Sequence, residues 1–202
     1  DYMLNKNKIG IIGAGTMGNG IAHVFSLYGY ETILVDINKN FLEKALNNIK
    51  SNMQRQIKKN IIDESEMSIA ISKIKTSMDI NNLKNCFIVI EAIKEDVAIK
   101  GDLFKELDVL CHEETILASN TSSISIDTLS KNTQRRNKVI GMHFMNPVPI
   151  MKLVEIVKGT KTSNETLESI IALSKWAVND GGWSTKIVSD WEQFVASVIV
   201  TM

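Results

Sequence analysis

One histidine and one glutamate are spaced so that they could share a proton. His143 ends an apolar run shortly before Asn146 and two prolines, and Glu155 follows twelve residues later in the next apolar run. A carboxylate beside an imidazole fixes its tautomer and stabilises its charged form, which makes the histidine a better base. Removal of a hydride from a carbinol carbon requires such a base for the hydroxyl proton. A histidine before a proline loop is also common as a structural residue, and the spacing alone leaves both interpretations open.

A second polar cluster, the sequence SNTSS at residues 119–123, follows a predicted strand. Hydroxyl and amide groups at the end of a strand could orient a bound molecule. The same residue types are preferred at helix N-caps, and residues 126–129 could begin a helix directly afterwards. The residues alone leave a binding role and a capping role open.

Residues 13–18 read GAGTMG, a GxGxxG pattern that follows an apolar run and precedes a helical segment. In this context the first glycine allows a tight turn, the second allows the backbone to approach a pyrophosphate, and the third allows the helix to pack closely on the strand. The amide groups at the helix N-terminus then face the anion. A purely structural strand–turn–helix unit could carry these glycines too, but the order of strand, glycines, helix and acid favours a dinucleotide site.

Asp36 is the acid of this pattern and ends the second apolar run. Its carboxylate can accept hydrogen bonds from the ribose hydroxyls of NAD, and it would repel the 2′-phosphate of NADP. The sequence therefore predicts NAD as the cofactor.

The elements that must position these side chains alternate between short apolar runs and longer amphipathic segments, which is typical of βαβ units. The expected fold is α/β, a Rossmann-like parallel sheet with helices on both faces. Residues 39–60 are predicted to be one helix or a helical pair. Predicted strands cover residues 8–12, 32–35, 86–90, 115–118, 139–142 and 153–157, and the other predicted helices cover residues 16–28, 97–111 and 164–175.

Composition and charge exclude several classes of protein. With 44% hydrophobic and 23% charged residues, a chain of 202 residues is neither disordered nor dependent on disulfides. Lys plus Arg and Asp plus Glu both number 23, and this balance argues against a nucleic-acid partner. No run approaches the roughly 20 apolar residues of a membrane span. Cys86 and Cys111 have no metal-ligand spacing, so we expect buried free thiols, no metal and a cytoplasmic protein.

Three segments together resemble the L-3-hydroxyacyl-CoA dehydrogenase family, and in particular its bacterial 3-hydroxybutyryl-CoA members. They are GAGTMGNGIA at residues 13–22, SNTSS at residues 119–123 and HFMNPVPIMKLVE at residues 143–155, and the resemblance extends in order from Lys8 to Lys175. It implies an NAD-dependent oxidoreductase of fatty-acid metabolism, which transfers a hydride between NAD and the C3 carbon of a short-chain 3-hydroxyacyl-CoA.

The resemblance also assigns roles to residues. His143 matches the catalytic histidine and Glu155 matches its glutamate partner. Ser122 and Asn146 lie where the family places side chains close to substrate and nicotinamide. Lys59 is similar in placement to a lysine that contacts coenzyme A, although a solvated lysine on a helix face is the simpler interpretation. The residues implied at the cofactor are Gly13, Gly15, Thr16, Met17, Gly18, Asp36, Glu95, Lys100, Ser122 and Asn146.

The resemblance implies two domains, of which this chain carries the first. Residues 6–188 correspond to the NAD-binding Rossmann-like domain, and residues 189–202 to a divergent remnant of the start of a C-terminal helical domain. Asp190 and Phe194 match the family motif there, whereas Ser197 stands where the family has a substrate-binding asparagine. Family members dimerise through the helical domain, so we expect that contact and one wall of the acyl pocket to be absent.

Two functional hypotheses follow from the sequence. The first is an NAD-dependent 3-hydroxyacyl-CoA dehydrogenase that acts on an acyl-CoA substrate. The second is a truncated NAD-binding module without turnover, or one that acts only through association with another chain. A dehydrogenase of the related β-hydroxyacid group is disfavoured, because that group relies on a catalytic lysine and this chain instead has His143 and Glu155.

Overall fold

The computed structural model describes residues 5–181 and 184–188, with side chains described for residues 7–174 and 184–188. Over these residues the chain forms an eight-stranded sheet flanked by helices. The strands are β1 (Asn5–Ile12), β2 (Glu31–Val35), β3 (Ile74–Ser77), β4 (Cys86–Glu91), β5 (Ile116–Ser119), β6 (Val139–Phe144), β7 (Leu153–Val157) and β8 (Ser184–Val188). The helices are α1 (Thr16–Leu27), α2 (Lys39–Lys58), α3 (Glu64–Lys73), α4 (Val97–Leu110), α5 (Ile126–Ser130) and α6 (Asn164–Gly181), and 3₁₀ turns cover Ile80–Leu83 and Arg136–Lys138.

The strands lie in the order β3-β2-β1-β4-β5-β6-β7-β8. Strands β1 to β6 are parallel, β7 is antiparallel to β6, and β8 is parallel to β7. The direction of winding reverses between β1 and β4, and an open parallel sheet has a crevice at such a point, beyond the carboxyl ends of its strands. The predicted α/β fold with a Rossmann-like sheet is confirmed.

Helices cover both faces of the sheet because its central strands are apolar on both sides. Along β1, Ile9 and Ile11 point into one core together with Phe25 of α1, whereas Ile12 points into a second core together with Phe104 of α4. The first core also receives residues of α2 and α6, and the second receives residues of α5. Near-continuous apolar strands are what a parallel sheet buried on both faces requires.

Side chains just before three helices explain where those helices begin. Asn38 caps α2 and Asp96 caps α4, each by accepting a hydrogen bond from a backbone N–H of the first turn. Asp63 and Glu66 form a reciprocal capping box at the start of α3. These bonds satisfy amides that the helix itself leaves unpaired. Residues 39–60, predicted as one helix or a pair, contain the single helix α2.

The structure also contains elements that the sequence pattern did not predict, namely α3, the edge strand β3 and strand β8. Helix α6 continues to Gly181, beyond the end predicted at residue 175. Cys86 and Cys111 are buried and unpaired, as predicted. Among the described residues, no helix has the length and apolar character that a membrane crossing requires. The segment interpreted as a remnant, residues 189–202, lies outside the described residues.

His23 is a buried histidine of α1 whose protonation couples folding to pH. Its side chain has no exposed surface, its Nε2 lies 3.0 Å from Oε1 of Gln56, and its Nδ1 has no hydrogen-bond partner among the described residues. Burial lowers the pKa of His23 from 6.5 to about 4, and the hydrogen bond with Gln56 opposes this only in part. Because the folded pKa is the lower one, the unfolded chain takes up this proton first as the pH falls. The stability contributed by the neutral histidine is therefore complete above pH 6.5 and is lost as the pH falls towards about 4.

We predict that His23 lowers the free energy of unfolding by about 3 kcal/mol as the pH is lowered from neutral to about 4. The variant His23→Gln cannot take up this proton, so urea unfolding across that range should show a smaller pH dependence than in the unchanged protein. The matched variant His112→Gln alters a partly exposed histidine and should leave the pH dependence in place. An equal pH dependence in His23→Gln and the unchanged protein would contradict this role of His23.

Candidate active site

Where β1 joins α1, positions 13 and 18 can hold no residue other than glycine. Gly13 has φ +101°, and a Cβ atom there would lie 2.6 Å from the carbonyl oxygen of Ala92. A Cβ atom on Gly18 would lie 1.7 Å from the carbonyl oxygen of Gly13. A side chain is therefore excluded at both positions. At position 13 the backbone conformation and the lack of space exclude it, and at position 18 the lack of space alone does. The first turn of α1 consequently packs directly against the end of β1.

The N-terminus of α1 fits a pyrophosphate. Gly15 is the N-cap residue, and a Cβ atom on it would meet no atom within 4 Å, so the backbone there borders open space. No side chain caps α1 and no acidic residue lies in its first turn. The amides of the first turn point outward along the helix axis, with the positive end of the helix dipole behind them. Thr16 and Met17, predicted at the cofactor, are the first two residues of this turn.

Asp36 links the end of β2 to the glycine turn. Its Oδ2 accepts a hydrogen bond from the N–H of Ala14 at 2.8 Å, and its Oδ1 accepts one from the N–H of Asn38 at 2.9 Å. A carboxylate has about four lone-pair positions, so two remain for the hydroxyl groups of a ribose. Asp36 therefore holds the turn in shape and can still bind a diol at the same edge of the sheet.

A buried ion-pair cluster lies on the other side of the crevice. The ammonium group of Lys100 is 2.8 and 3.0 Å from the two carboxylate oxygens of Glu91 and 2.8 Å from Oε2 of Glu95. The side chains of Lys100 and Glu91 are 1% and 0% exposed, whereas that of Glu95 is 37% exposed. Lys100 and Glu95 were predicted at this site and Glu91 was missed. The sequence signal that could have indicated Glu91 is its position: it is an acid that ends an apolar strand, nine residues before a lysine.

Glu95 organises the polar loop at residues 119–123. Its Oε1 accepts hydrogen bonds from the hydroxyl group of Thr121, from the N–H of Ser122, and from both the N–H and the hydroxyl group of Ser123. Burial raises the pKa of Glu95, but the hydrogen bonds from Lys100, Thr121 and Ser123 outweigh it and lower the pKa to about 2. Glu95 is therefore a carboxylate throughout the physiological pH range.

The capping interpretation of this loop does not hold. The N-cap residue of α5 is Ser125, beyond the loop, and its side chain makes no capping hydrogen bond. The hydroxyl group of Ser119 donates instead to Glu91 at 2.6 Å. The SNTSS segment is thus bound to the two acids of the crevice.

His143 and Glu155 face each other on neighbouring antiparallel strands. The register of β6 and β7 pairs them directly, and His143 Nδ1 lies 3.2 Å from Glu155 Oε2. Their side chains are 15% and 7% exposed, so the pair is largely shielded from water. The other carboxylate oxygen of Glu155, Oε1, lies 3.4 Å from Nζ of Lys186. The geometry suits a histidine base that is oriented by a carboxylate.

A cavity of about 300 Å³ brings six of the thirteen predicted site residues together, Met17 among them. His143, Asn146 and Ser122 line it, and so do Glu95 and Lys100. Ser122 lies beside Glu95, to which its N–H donates a hydrogen bond. The further lining residues are Met17, Ala92, Ile93, Asn120, Phe144 and Met145.

Seven predicted site residues do not line this cavity. Five of them belong to the glycine turn and the end of β2 described above, namely Gly13, Gly15, Thr16, Gly18 and Asp36. Glu155 lies behind His143, as a partner of the imidazole. Lys59 is exposed at the C-terminal end of α2 and makes no contact with the cavity, so its link to coenzyme A stays a prediction.

Asn120 belongs to the SNTSS cluster, but the sequence assigned it no role of its own. Its Oδ1 accepts a hydrogen bond from the N–H of Phe144 at 2.9 Å, which ties the end of β5 to the end of β6. The peptide bond between Asn146 and Pro147 is cis. Asn146 and Ser122 are both exposed, so their side chains are accessible at the mouth of the cavity.

Comparison with known proteins gives consistent matches. The family model described as 3-hydroxyacyl-CoA dehydrogenase, NAD binding domain, matches residues 8–178. A 3-hydroxybutyryl-CoA dehydrogenase of Bradyrhizobium diazoefficiens is 39% identical over 193 residues, which are 96% of this chain and 64% of the relative. A 3-hydroxybutyryl-CoA dehydrogenase of Clostridioides difficile is 41% identical over 168 residues, which are 83% of this chain and 60% of the relative.

Solved structures agree with the sequence matches. The crystal structure of (S)-3-hydroxybutyryl-CoA dehydrogenase PaaH1 from Ralstonia eutropha superposes with a TM-score of 0.86 at 41% identity, over 91% of this chain and 64% of the other. The chain therefore spans a little under two thirds of the length of these relatives. The match over residues 8–178 covers both the glycine turn and the pair of His143 and Glu155. The chain belongs to the 3-hydroxyacyl-CoA dehydrogenase family and carries the fold of its NAD-binding domain.

Proposed function

We propose that this chain binds NAD in the crevice between β1 and β4 and transfers a hydride between NAD and the C3 carbon of a short-chain 3-hydroxyacyl-CoA. The observation that carries the proposal is that His143, oriented by Glu155, opens into the same cavity as Ser122 and Asn146. Met17, from the first turn of α1 within the glycine pattern, lines that cavity as well. A base and a dinucleotide turn thus meet in one place.

In this proposal the cofactor is held by residues whose geometry suits each of its parts. The turn at Gly13, Gly15 and Gly18 and the amides of Thr16 and Met17 bind the pyrophosphate. The Asp36 carboxylate binds the ribose of the adenosine. When bound, NAD accepts the hydride, and NADH donates it in the reverse reaction. Glu95 and Lys100 form the wall beside the loop that carries Ser122.

The chain's own residues move the proton. Because Nδ1 of His143 faces Glu155, the proton is exchanged with the substrate at Nε2. His143 takes the proton of the 3-hydroxyl group, and Glu155 stabilises the imidazolium that forms. In the reverse direction the imidazolium protonates the developing alkoxide. Ser122 and Asn146 orient the reacting oxygen and the thioester.

The substrate class is supported by relatives named as 3-hydroxybutyryl-CoA dehydrogenases. The proposal treats residues 6–188 as the NAD-binding domain and residues 189–202 as a divergent segment that corresponds to the start of the helical domain through which relatives would dimerise. It also includes a cytoplasmic location, in keeping with the buried, unpaired Cys86 and Cys111. Contact of Lys59 with coenzyme A remains part of the proposal.

We predict that the purified chain oxidises NADH when acetoacetyl-CoA is added, and that His143→Ala reduces the rate by about a hundredfold or more, since the general base is removed. Absorbance of NADH gives the rate, and NADH fluorescence shows that the variant still binds the cofactor. The control His112→Ala changes a histidine outside the cavity and should keep the rate. A folded chain that binds NADH but turns over no substrate would leave a binding module in place of an enzyme.

Glu155→Gln is expected to lower kcat by about a hundredfold while leaving the KM for NADH unchanged, because Glu155 touches the imidazole and not the cofactor. Steady-state kinetics with both substrates separates the two parameters. Glu114→Gln is the matched control, since Glu114 is a carboxylate paired with Lys138 away from the cavity. A rise in the KM for NADH with unchanged kcat would refute the proposed role of Glu155.

Asp36→Asn is expected to weaken NADH binding and to shift the preference between NADH and NADPH by about tenfold or more towards NADPH, because the charge that repels the 2′-phosphate is removed. Fluorescence titration with each cofactor measures both dissociation constants. Asp102→Asn, at an exposed acid of α4, is the control. An equal loss of affinity for both cofactors would mean that Asp36 acts only through its hydrogen bond to Ala14.

A further inference from the structure

The ammonium group of Lys100 is fully satisfied by the protein. It has three N–H donors, and three carboxylate oxygens lie within 3.0 Å of it, two on Glu91 and one on Glu95. The side chain of Lys100 is 1% exposed and that of Glu91 is 0% exposed. In this arrangement Lys100 binds the two acids and presents no spare donor to a molecule in the cavity.

The two acids hold the polar loop at different points. Glu91 accepts hydrogen bonds from the hydroxyl group of Ser119 at 2.6 Å and from the N–H of Ile93 at 2.7 Å, which ties it to the start of the loop and to its own strand end. Glu95 accepts four hydrogen bonds from residues 121–123, all through Oε1, while its Oε2 faces Lys100. Lys100 therefore connects an acid that is fixed in the sheet to an acid that holds the loop.

We propose that Glu91 and Lys100 are positioning residues: as a buried ion pair they anchor Glu95, and through Glu95 they hold Ser122 in place in the cavity. The proposal rests on the proposed function only in taking Ser122 to face cofactor and substrate. It assigns to Lys100 an indirect action on the cofactor, through the loop. It adds Glu91 to the site, a buried residue that does not line the cavity.

The charges of Lys100, Glu91 and Glu95 determine what happens when the lysine is replaced. One ammonium group lies between two carboxylates, so the cluster carries one excess negative charge. If Lys100 becomes Met, the two carboxylates repel each other without a cation between them. Glu91 is buried and cannot move to water, whereas Glu95 is 37% exposed and can turn outward. The loop then loses the acceptor of its four hydrogen bonds.

The double variant that combines Lys100→Met with Glu91→Gln should keep the loop at residues 121–123 more ordered than Lys100→Met alone does. Glu91→Gln removes the buried charge that repels Glu95. Its one oxygen can accept from the N–H of Ile93, and its NH₂ group can donate to the hydroxyl oxygen of Ser119, which takes the place of the bond that Ser119 donates to Glu91. With Lys100→Met in addition, Glu95 keeps its bonds to the loop without being repelled. A residue that contacts the cofactor directly would give the opposite result, because the second substitution could not replace the lost contact.

The experiment measures amide hydrogen exchange at Ser122 and Ser123 in the full chain. Lys100→Met should accelerate exchange there by about tenfold or more beyond its effect on global stability, as expected for lost hydrogen bonds. The double variant with Glu91→Gln should restore slow exchange. If Lys100→Met does not fold, the double variant must still fold and show the slow exchange of the unchanged protein.

Arg135→Met is the matched control. Arg135 is another cation with little exposure, paired with Asp108 at 2.8 Å and hydrogen-bonded to backbone carbonyls near the end of α4, but it does not line the cavity. Arg135→Met should lower the free energy of unfolding, and it should accelerate amide exchange at Ser122 and Ser123 only in proportion to that loss of stability. If Lys100→Met also accelerated exchange only in proportion to its loss of stability, the role of Lys100 would be purely structural and the proposal would be overturned.

NADH affinity, measured by fluorescence, supplies the second readout. Lys100→Met should weaken NADH binding by about tenfold or more, and the double variant should return to within about threefold of the unchanged protein. A double variant with restored exchange but weak NADH binding would show direct contact of Lys100 with the cofactor and refute the indirect role. Neither readout requires turnover, so failure of the proposed reaction and failure of this inference remain distinguishable.

Discussion

The close contact between the first turn of α1 and the end of β1 determines where everything else at the site lies. A Cβ atom on Gly18 would be 1.7 Å from the carbonyl oxygen of Gly13, so this contact exists only because position 18 has no side chain. The N–H of Gly13 donates to Val35 of β2 at 2.8 Å, and the N–H of Ala92 donates to Ile12 at 2.8 Å. These bonds bring the ends of β2 and β4 to the same turn. The helix N-terminus, Asp36 and the acids that follow β4 therefore share one edge of the sheet.

A change of strand direction supplies the second half of the site. Strands β1 to β6 are parallel, so their carboxyl ends lie together, and β7 returns antiparallel along β6. In the antiparallel register His143 stands directly opposite Glu155, and the side chains of directly opposed residues lie on one face of the sheet. Asn120 joins the halves through its bond to the N–H of Phe144. The polar loop between β5 and α5 thus lies between the cofactor side of the crevice and the histidine.

The sequence predicted the parts of the fold whose signals are local. Buried strands such as β4 are continuous apolar runs, and the glycine turn has a fixed spacing. Strand β3 was missed because it is an edge strand with a polar, half-exposed pattern, which carries little hydrophobic signal. Glu91 was missed for a different reason: a glutamate at a strand end resembles any solvated acid until the fold buries it against Lys100 and Ser119. The capping box of Asp63 and Glu66, in contrast, was visible in the sequence and could have indicated α3.

The site draws its geometry from strand ends more than from loop conformation. Glu91 ends β4, Ser119 ends β5, and His143 lies one residue before the end of β6. The distances among these residues follow from the register of three adjoining parallel strands, which is held by core packing on both faces. The loop that carries Ser122 would be the freest part of such a site, since a short polar loop gains little from burial. Hydrogen bonds to Glu91 at one end of the loop and to Glu95 in its middle couple the loop to the ordered sheet. The proposed hydride and proton transfer requires such precise positioning.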